Sequence, residues 1–161
     1  MNERRVLEFD ALGSFSKRFA SALFAAFPNV RVHSEMIQSG ENDGLSIDIR
    51  VPSPSGENDR LIEIWVDEKA TPSIGFGPDH THRNPDESGI TEVIELLRAI
   101  LDGRLLIIQY VGGEYAKFGR WLDLREPDAL EDELTSECSP GRATLKSWSG
   151  EADRVVGLES L

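Results

Sequence analysis

Between residues 90 and 101 apolar side chains return every three or four positions. Ile90, Val93, Ile94, Leu97, Ile100 and Leu101 share one face of a helix, while Glu92, Glu95 and Arg98 lie elsewhere. A stripe this wide must be covered by other apolar surface, so whatever fold the chain adopts has to lay this helix on a packed layer. The ends of the helix are punctuated as well. Asn84 suits the cap, Pro85 the first helical position, Glu87 the third residue of a capping box, and Gly103 the residue after the last turn.

The covering layer is readable on both sides of that helix. Leu45, Ile47, Ile49 and Val51 alternate with Ser46, Asp48 and Arg50, the pattern of a strand with one solvated face. After the loop Pro52-Ser-Pro-Ser-Gly56, Ile62, Ile64 and Val66 resume the alternation, which predicts an antiparallel pair with Trp65 turned away from its inward row. Ser73 to Gly77 reads as a third, short strand following a turn at Pro72. Leu105 to Val111 is an almost unbroken apolar run, expected of a central strand covered on both faces, and Gly112-Gly113 invites a hairpin into Glu114–Leu124. A further strand is expected over Ala143 to Trp148.

An earlier helix is predicted from Phe15, Phe19, Ala22, Leu23 and Ala26, with Ser14 or Asp10 as cap and Pro28-Asn29 as its stop. The order of elements lacks regular strand–helix–strand alternation. The expectation is therefore an α+β fold, with one domain spanning residues 1–161 and an antiparallel or mixed sheet carrying two main helices on one face. Its single core should join both helices to a sheet containing Ile47, Ile49, Ile62, Ile64, Leu106 and Ile108.

Charge narrows the partners. The chain carries 29 Asp and Glu against 17 Lys and Arg, a formal net charge of -12, and its field repels phosphate backbones and anionic membrane surfaces. Nucleic acid and membrane are therefore not expected partners, whereas a basic protein is. Phe19 to Phe27 is too short to span a bilayer, and Glu3, Glu8 and Asp10 spoil a cationic leader. Cys138 is the one cysteine, which excludes an intramolecular disulfide and any zinc site built on several thiolates. A cytoplasmic location fits this composition.

The densest local chemistry is Gly75-Phe76-Gly77-Pro78-Asp79-His80-Thr81-His82, read as a loop between a strand and the capped helix. In an extended backbone His80 and His82 point to one side, a workable start for a divalent metal, with Asp79 or Asp86 able to add an oxygen. A closed site needs three or four convergent ligands and only two have suitable spacing, so no metal or cofactor is expected. One histidine could act as a general base oriented by Asp79, yet no nucleophile stands in a recognisable elbow, and no catalytic residue is assigned. Asp79, His80 and His82 remain the candidate loop site; their bland alternative is hydrogen bonding within the loop and helix cap.

Other motifs are incomplete. The glycine fingerprint at Gly75 lacks its third glycine and Pro78 removes a donor, and His33-Ser34-Glu35 has no downstream P-C-x-x-C partner. The stretch Glu126 to Glu137 is either a solvated face or a surface complementary to Lys and Arg. On the second reading exposed Glu131, Asp132 and Glu133 contact the partner. Trp65 is a further contact candidate, since Trp65, Trp121 and Trp148 all fall in expected strands and a ring on a solvated sheet face can anchor a protein.

The Gly-Phe-Gly-x-x-His-Thr-His stretch at Gly75–His82, the helix Asp86–Asp102 after it and the strand pair at Leu105–Leu124 together resemble small acidic bacterial immunity proteins found beside polymorphic toxins. That resemblance covers the middle third of the chain. It implies no enzymatic role, only a surface that occludes a toxin, and it transfers no binding residue. Two functional expectations follow: a non-enzymatic acidic protein that neutralises a basic partner, or a small metal- or histidine-dependent enzyme using Asp79-His80-Thr81-His82.

Overall fold

Alternating sequence carries the first half of the chain into a six-stranded sheet, and the apolar run after the long helix lies inside a second sheet of four strands. The computed structural model describes residues 4–6, 8–38, 45–66, 70–113, 119–136 and 139–160. In order the chain forms β1 (Arg4–Val6), α1 (Ser14–Ala26), β2 (Ser34–Gln38), β3 (Leu45–Val51), β4 (Ile62–Val66), β5 (Pro72–Phe76) and β6 (Asp79–His82). There follow α2 (Glu87–Leu101), β7 (Leu105–Tyr110), β8 (Gly119–Asp123), α3 (Ala129–Thr135), β9 (Arg142–Lys146) and β10 (Arg154–Gly157). The first sheet runs β1-β2-β3-β4-β5-β6 and the second β10-β9-β7-β8. The fold is α+β, with antiparallel sheets and helices packed against them.

Two compact units result, each gathered from three stretches of chain. One comprises Met1–Val51, Leu61–Gly75 and His80–Leu97; the other comprises Pro52–Arg60, Phe76–Asp79 and Arg98–Leu161. The six residues expected in one sheet are accordingly divided. Ile47, Ile49, Ile62 and Ile64 belong to the first sheet, Leu106 and Ile108 to the second.

In the first unit Ile49 faces Ile64 and Asp48 faces Trp65 across the β3–β4 pair, as alternation requires. Ile47, Ile49, Val51, Ile62, Ile64 and Val66 form the buried row. Packed on β3, α1 buries Phe19, Ala20 and Leu23. Neither Ser14 nor Asp10 caps it: the cap position is Gly13, Ser14 is the first helical residue, and Asp10 lies in a preceding 3-10 turn.

The expected start of α2 also shifts. Asp86, not Asn84, occupies the cap position, and its Oδ1 accepts the Gly89 N–H at 3.0 Å and the Ser88 hydroxyl at 2.7 Å. The Gly89 amide, then the Ser88 hydroxyl, hold the Asp86 carboxyl below the ordinary aspartate range. Asn84 is displaced because its carbonyl is taken by the Asp86 N–H, at 2.9 Å, and lies where a side chain on Gly89 would go. At the other end Gly103 ends the helix as expected. With φ +69° it lets its own N–H reach the Ile100 carbonyl and the Arg104 N–H reach that of Ala99, a Schellman closure.

In the second unit β7 lies inside its sheet, paired antiparallel with both β8 and β9, which explains its unbroken apolar sequence. Leu106, Ile108, Tyr110, Leu122, Leu134, Ala143, Leu145 and Val156 make one buried cluster, against which Ala129 and Leu130 of α3 pack. The β7–β8 pairing extends to Gln109↔Gly119. Residues 114–118, part of the expected hairpin, lie outside the described residues, as do Glu137 and Cys138. Trp148 is not in a strand, because β9 stops at Lys146 and the chain turns at Ser147–Gly150. Among the described residues no helix is long and apolar enough to cross a membrane.

Candidate functional site

The stretch read as a loop is a strand. Pro72–Phe76 and Asp79–His82 are joined by Gly77-Pro78, where Gly77 has φ +62°, and the Arg83 N–H reaches the Pro72 carbonyl at 2.9 Å. Because β6 is the last strand of its sheet, alternation puts His80 and His82 on one face of an edge strand, and both are exposed. Their ring centroids are 5.1 Å apart, and the Trp65 ring lies 6.0 Å from each. Between β4 and β6 the middle strand offers only Ser73 and Gly75 on this face, so the indole has room to lean toward the imidazoles.

Ser73 is fully buried at 0% exposure, and its Oγ stands 2.7 Å from His82 Nδ1. A serine and a histidine at that distance are the beginning of a nucleophile and base, but a nucleophile must be reached by substrate. Ser73 is not reachable. Asp79 alternates to the other face of β6 from the histidines, and Asp86 is engaged at the helix cap. Among the described residues no three His, Cys, Asp or Glu side chains gather to hold a metal ion. Beside the cluster, Arg50 pairs with Asp48 at 3.2 Å and Glu63 at 3.4 Å.

The acidic candidates divide according to the period of α3. Leu130 and Leu134 turn inward, while Glu131 and Asp132 are exposed. Glu133 departs from its expected exposure. Its side chain is 19% exposed, its Oε2 accepts the Tyr110 hydroxyl at 2.7 Å, and its Oε1 meets Arg120 at 3.1 Å. Burial first, and then the hydrogen bond and charge of Glu133, raise the Tyr110 phenol above its ordinary range, although Ser136 pulls the other way. Tyr110→Phe is therefore expected to cost about 1.5–3 kcal/mol, the worth of a hydrogen bond to a charged group. Urea denaturation measures this, and a variant as stable as the parent would show that Glu133 is held by Arg120 alone.

Sequence reasoning missed the second unit's main polar node. Arg60 is 5% exposed, pairs with Asp153 at 2.6 Å and with Glu57, and donates from Nη1 to the Ser147 carbonyl at 3.0 Å. The signal available was slight, since one arginine among acids in a loop reads as solvated. Nearby, Asp59, Gly77, Pro78, Ile107, Gln109, Gly119 and Lys146 line a cavity of about 320 Å³. Lys146 spends its charge on Asp59 at 2.6 Å, and a Cβ on Gly77 or Gly119 would strike Ile107 or Pro78. The Trp121 indole N–H is spent too, on the Phe76 carbonyl at 3.0 Å.

Comparison with known proteins adds no identification: no family model, no curated protein and no solved structure matches this chain.

Proposed function

We propose that this chain is a non-enzymatic binding protein that captures a basic protein partner through the acidic surface around α3, the mode of action of immunity proteins that occlude toxins. One observation carries the reading. Glu126, Asp128, Glu131 and Asp132 are exposed, and none of them is ion-paired with a cation among the described residues, while Leu134 and Leu130 anchor the same segment to a buried cluster. Carboxylates fixed on a packed helix hold a standing negative field, which accelerates encounter with a basic surface and is screened over roughly 8 Å at physiological ionic strength. The burial of Ser73 weighs against the enzymatic alternative at the histidines.

The test uses Glu131→Gln with Asp132→Asn, leaving Glu133 in place because it supports the fold. The neighbouring gene product is the first protein to offer. The double variant should associate more slowly at low salt, with a shallower dependence on ionic strength and an unchanged melting curve. Equally fast, salt-independent association in parent and variant would remove α3 from the interface.

A further inference from the structure

We propose that His80 and His82 form a two-histidine chelate for a divalent ion of the late first transition series, binding Cu2+ most tightly. Both imidazoles project from the same face of an edge strand, both are exposed, and their centroids are 5.1 Å apart. Metal–nitrogen bonds of about 2.0–2.1 Å place the centroids of two imidazoles on one ion roughly 4.5–5.2 Å apart, for angles between square and tetrahedral. The observed spacing falls within that range.

A second observation supports metal over mere ring packing. Ser73 Oγ lies 2.7 Å from His82 Nδ1, and with its own proton turned to the Thr71 carbonyl, 3.4 Å away, it is placed to accept from the Nδ1–H tautomer of His82. In that tautomer the other ring nitrogen keeps its lone pair and the ring is oriented by a fixed oxygen, which is how protein ligands to metals are prepared, and an ion bound at that nitrogen selects this tautomer. Here the fixed oxygen is fully buried and the remaining nitrogen belongs to an exposed ring. With two protein ligands the other coordination positions fall to water, so the ion is exchangeable, and imidazole ligation favours copper over nickel and zinc.

Trp65, 6.0 Å from each imidazole ring, is a built-in reporter. The experiment is a Cu2+ titration of the full chain, purified without a polyhistidine tag, in a non-coordinating buffer, read by tryptophan fluorescence and by electron paramagnetic resonance. Expected are saturation near one ion per chain, quenching that shrinks in Trp65→Phe, and nitrogen ligation in the spectrum. Ser73→Ala should weaken binding roughly 10–100-fold, and His80→Ala or His82→Ala at least as much. His33→Ala, with circular dichroism confirming that every variant folds, should bind as the parent does. Absence of saturable binding, or an undiminished site in the His80→Ala/His82→Ala double variant, overturns the proposal. Since α3 takes no part in it, this result is independent of the partner-binding test.

Discussion

Replacing Arg60 with alanine is expected to destabilise the protein by about 3 kcal/mol, the lower end of the loss seen when one partner of a buried ion pair is removed. The lower end applies because Asp153 and Glu57, with side chains 30% and 53% exposed, can recover some hydration once the guanidinium is gone. The carbonyl of Ser147 and the space left by a 5% exposed side chain account for the rest. Lysine should not rescue the variant. One ammonium cannot reach Asp153, Glu57 and the Ser147 carbonyl in the three directions that a planar guanidinium serves.

The same node makes a prediction about acid. Burial acts to raise the Asp153 pKa, but the Arg60 hydrogen bond, the Ser147 N–H and the guanidinium charge outweigh it and hold the carboxyl below the usual range. The unfolded chain therefore takes up a proton at this position first as pH falls. The stabilisation is whole above the ordinary aspartate value, about pH 4, and is lost as pH drops through the lower folded value. Denaturation midpoints measured from neutral pH down to about pH 2 should fall less steeply for Arg60→Ala than for the parent. Parallel curves would mean that Asp153 gains nothing from Arg60.

Leu97→Ala should be as damaging, costing about 2–5 kcal/mol through lost apolar burial and the cavity left behind. Leu97 is 0% exposed and lies on the α2 face that also buries Ile90, Val93 and Ile100. Leu97→Met, which nearly conserves volume, should cost less than about 1.5 kcal/mol. Equal melting of parent and alanine variant would show that α2 is not held by this face.

How far the fold was legible depended on local periodicity. α2, β3, β4 and β7 were readable because each carries its own pattern, a stripe at helical spacing, an alternation or an unbroken apolar run. β1, β2 and β10 were not. Arg4–Val6 is too short to show a period, Ser34–Gln38 (SEMIQ) mixes polar and apolar residues without clean alternation, and Arg154–Gly157 exposes Val155 at an edge. Their identity as strands comes from the partners they pair with. The histidines were legible as a pair only on the condition of an extended backbone, which β6 supplies. That Asp79–His82 is a strand, and that Trp65 reaches it, depended on β5 and its small residues lying between.

Neighbours along the chain were thus enough to set the α+β class, the inward faces of α2 and β3, the glycine that ends α2, and a net charge of -12. Every feature that needs distant residues to meet came from the folded arrangement instead. Leu106 and Ile108 went to a second sheet, Glu133 turned inward onto Tyr110, and Ser73 was buried beside His82. Arg60 was taken out of water by a turn 87 residues away along the chain. Periodicity reports which side of an element is apolar, but a buried charge is stable only when its partners arrive from elsewhere, and local sequence carries no record of that arrival.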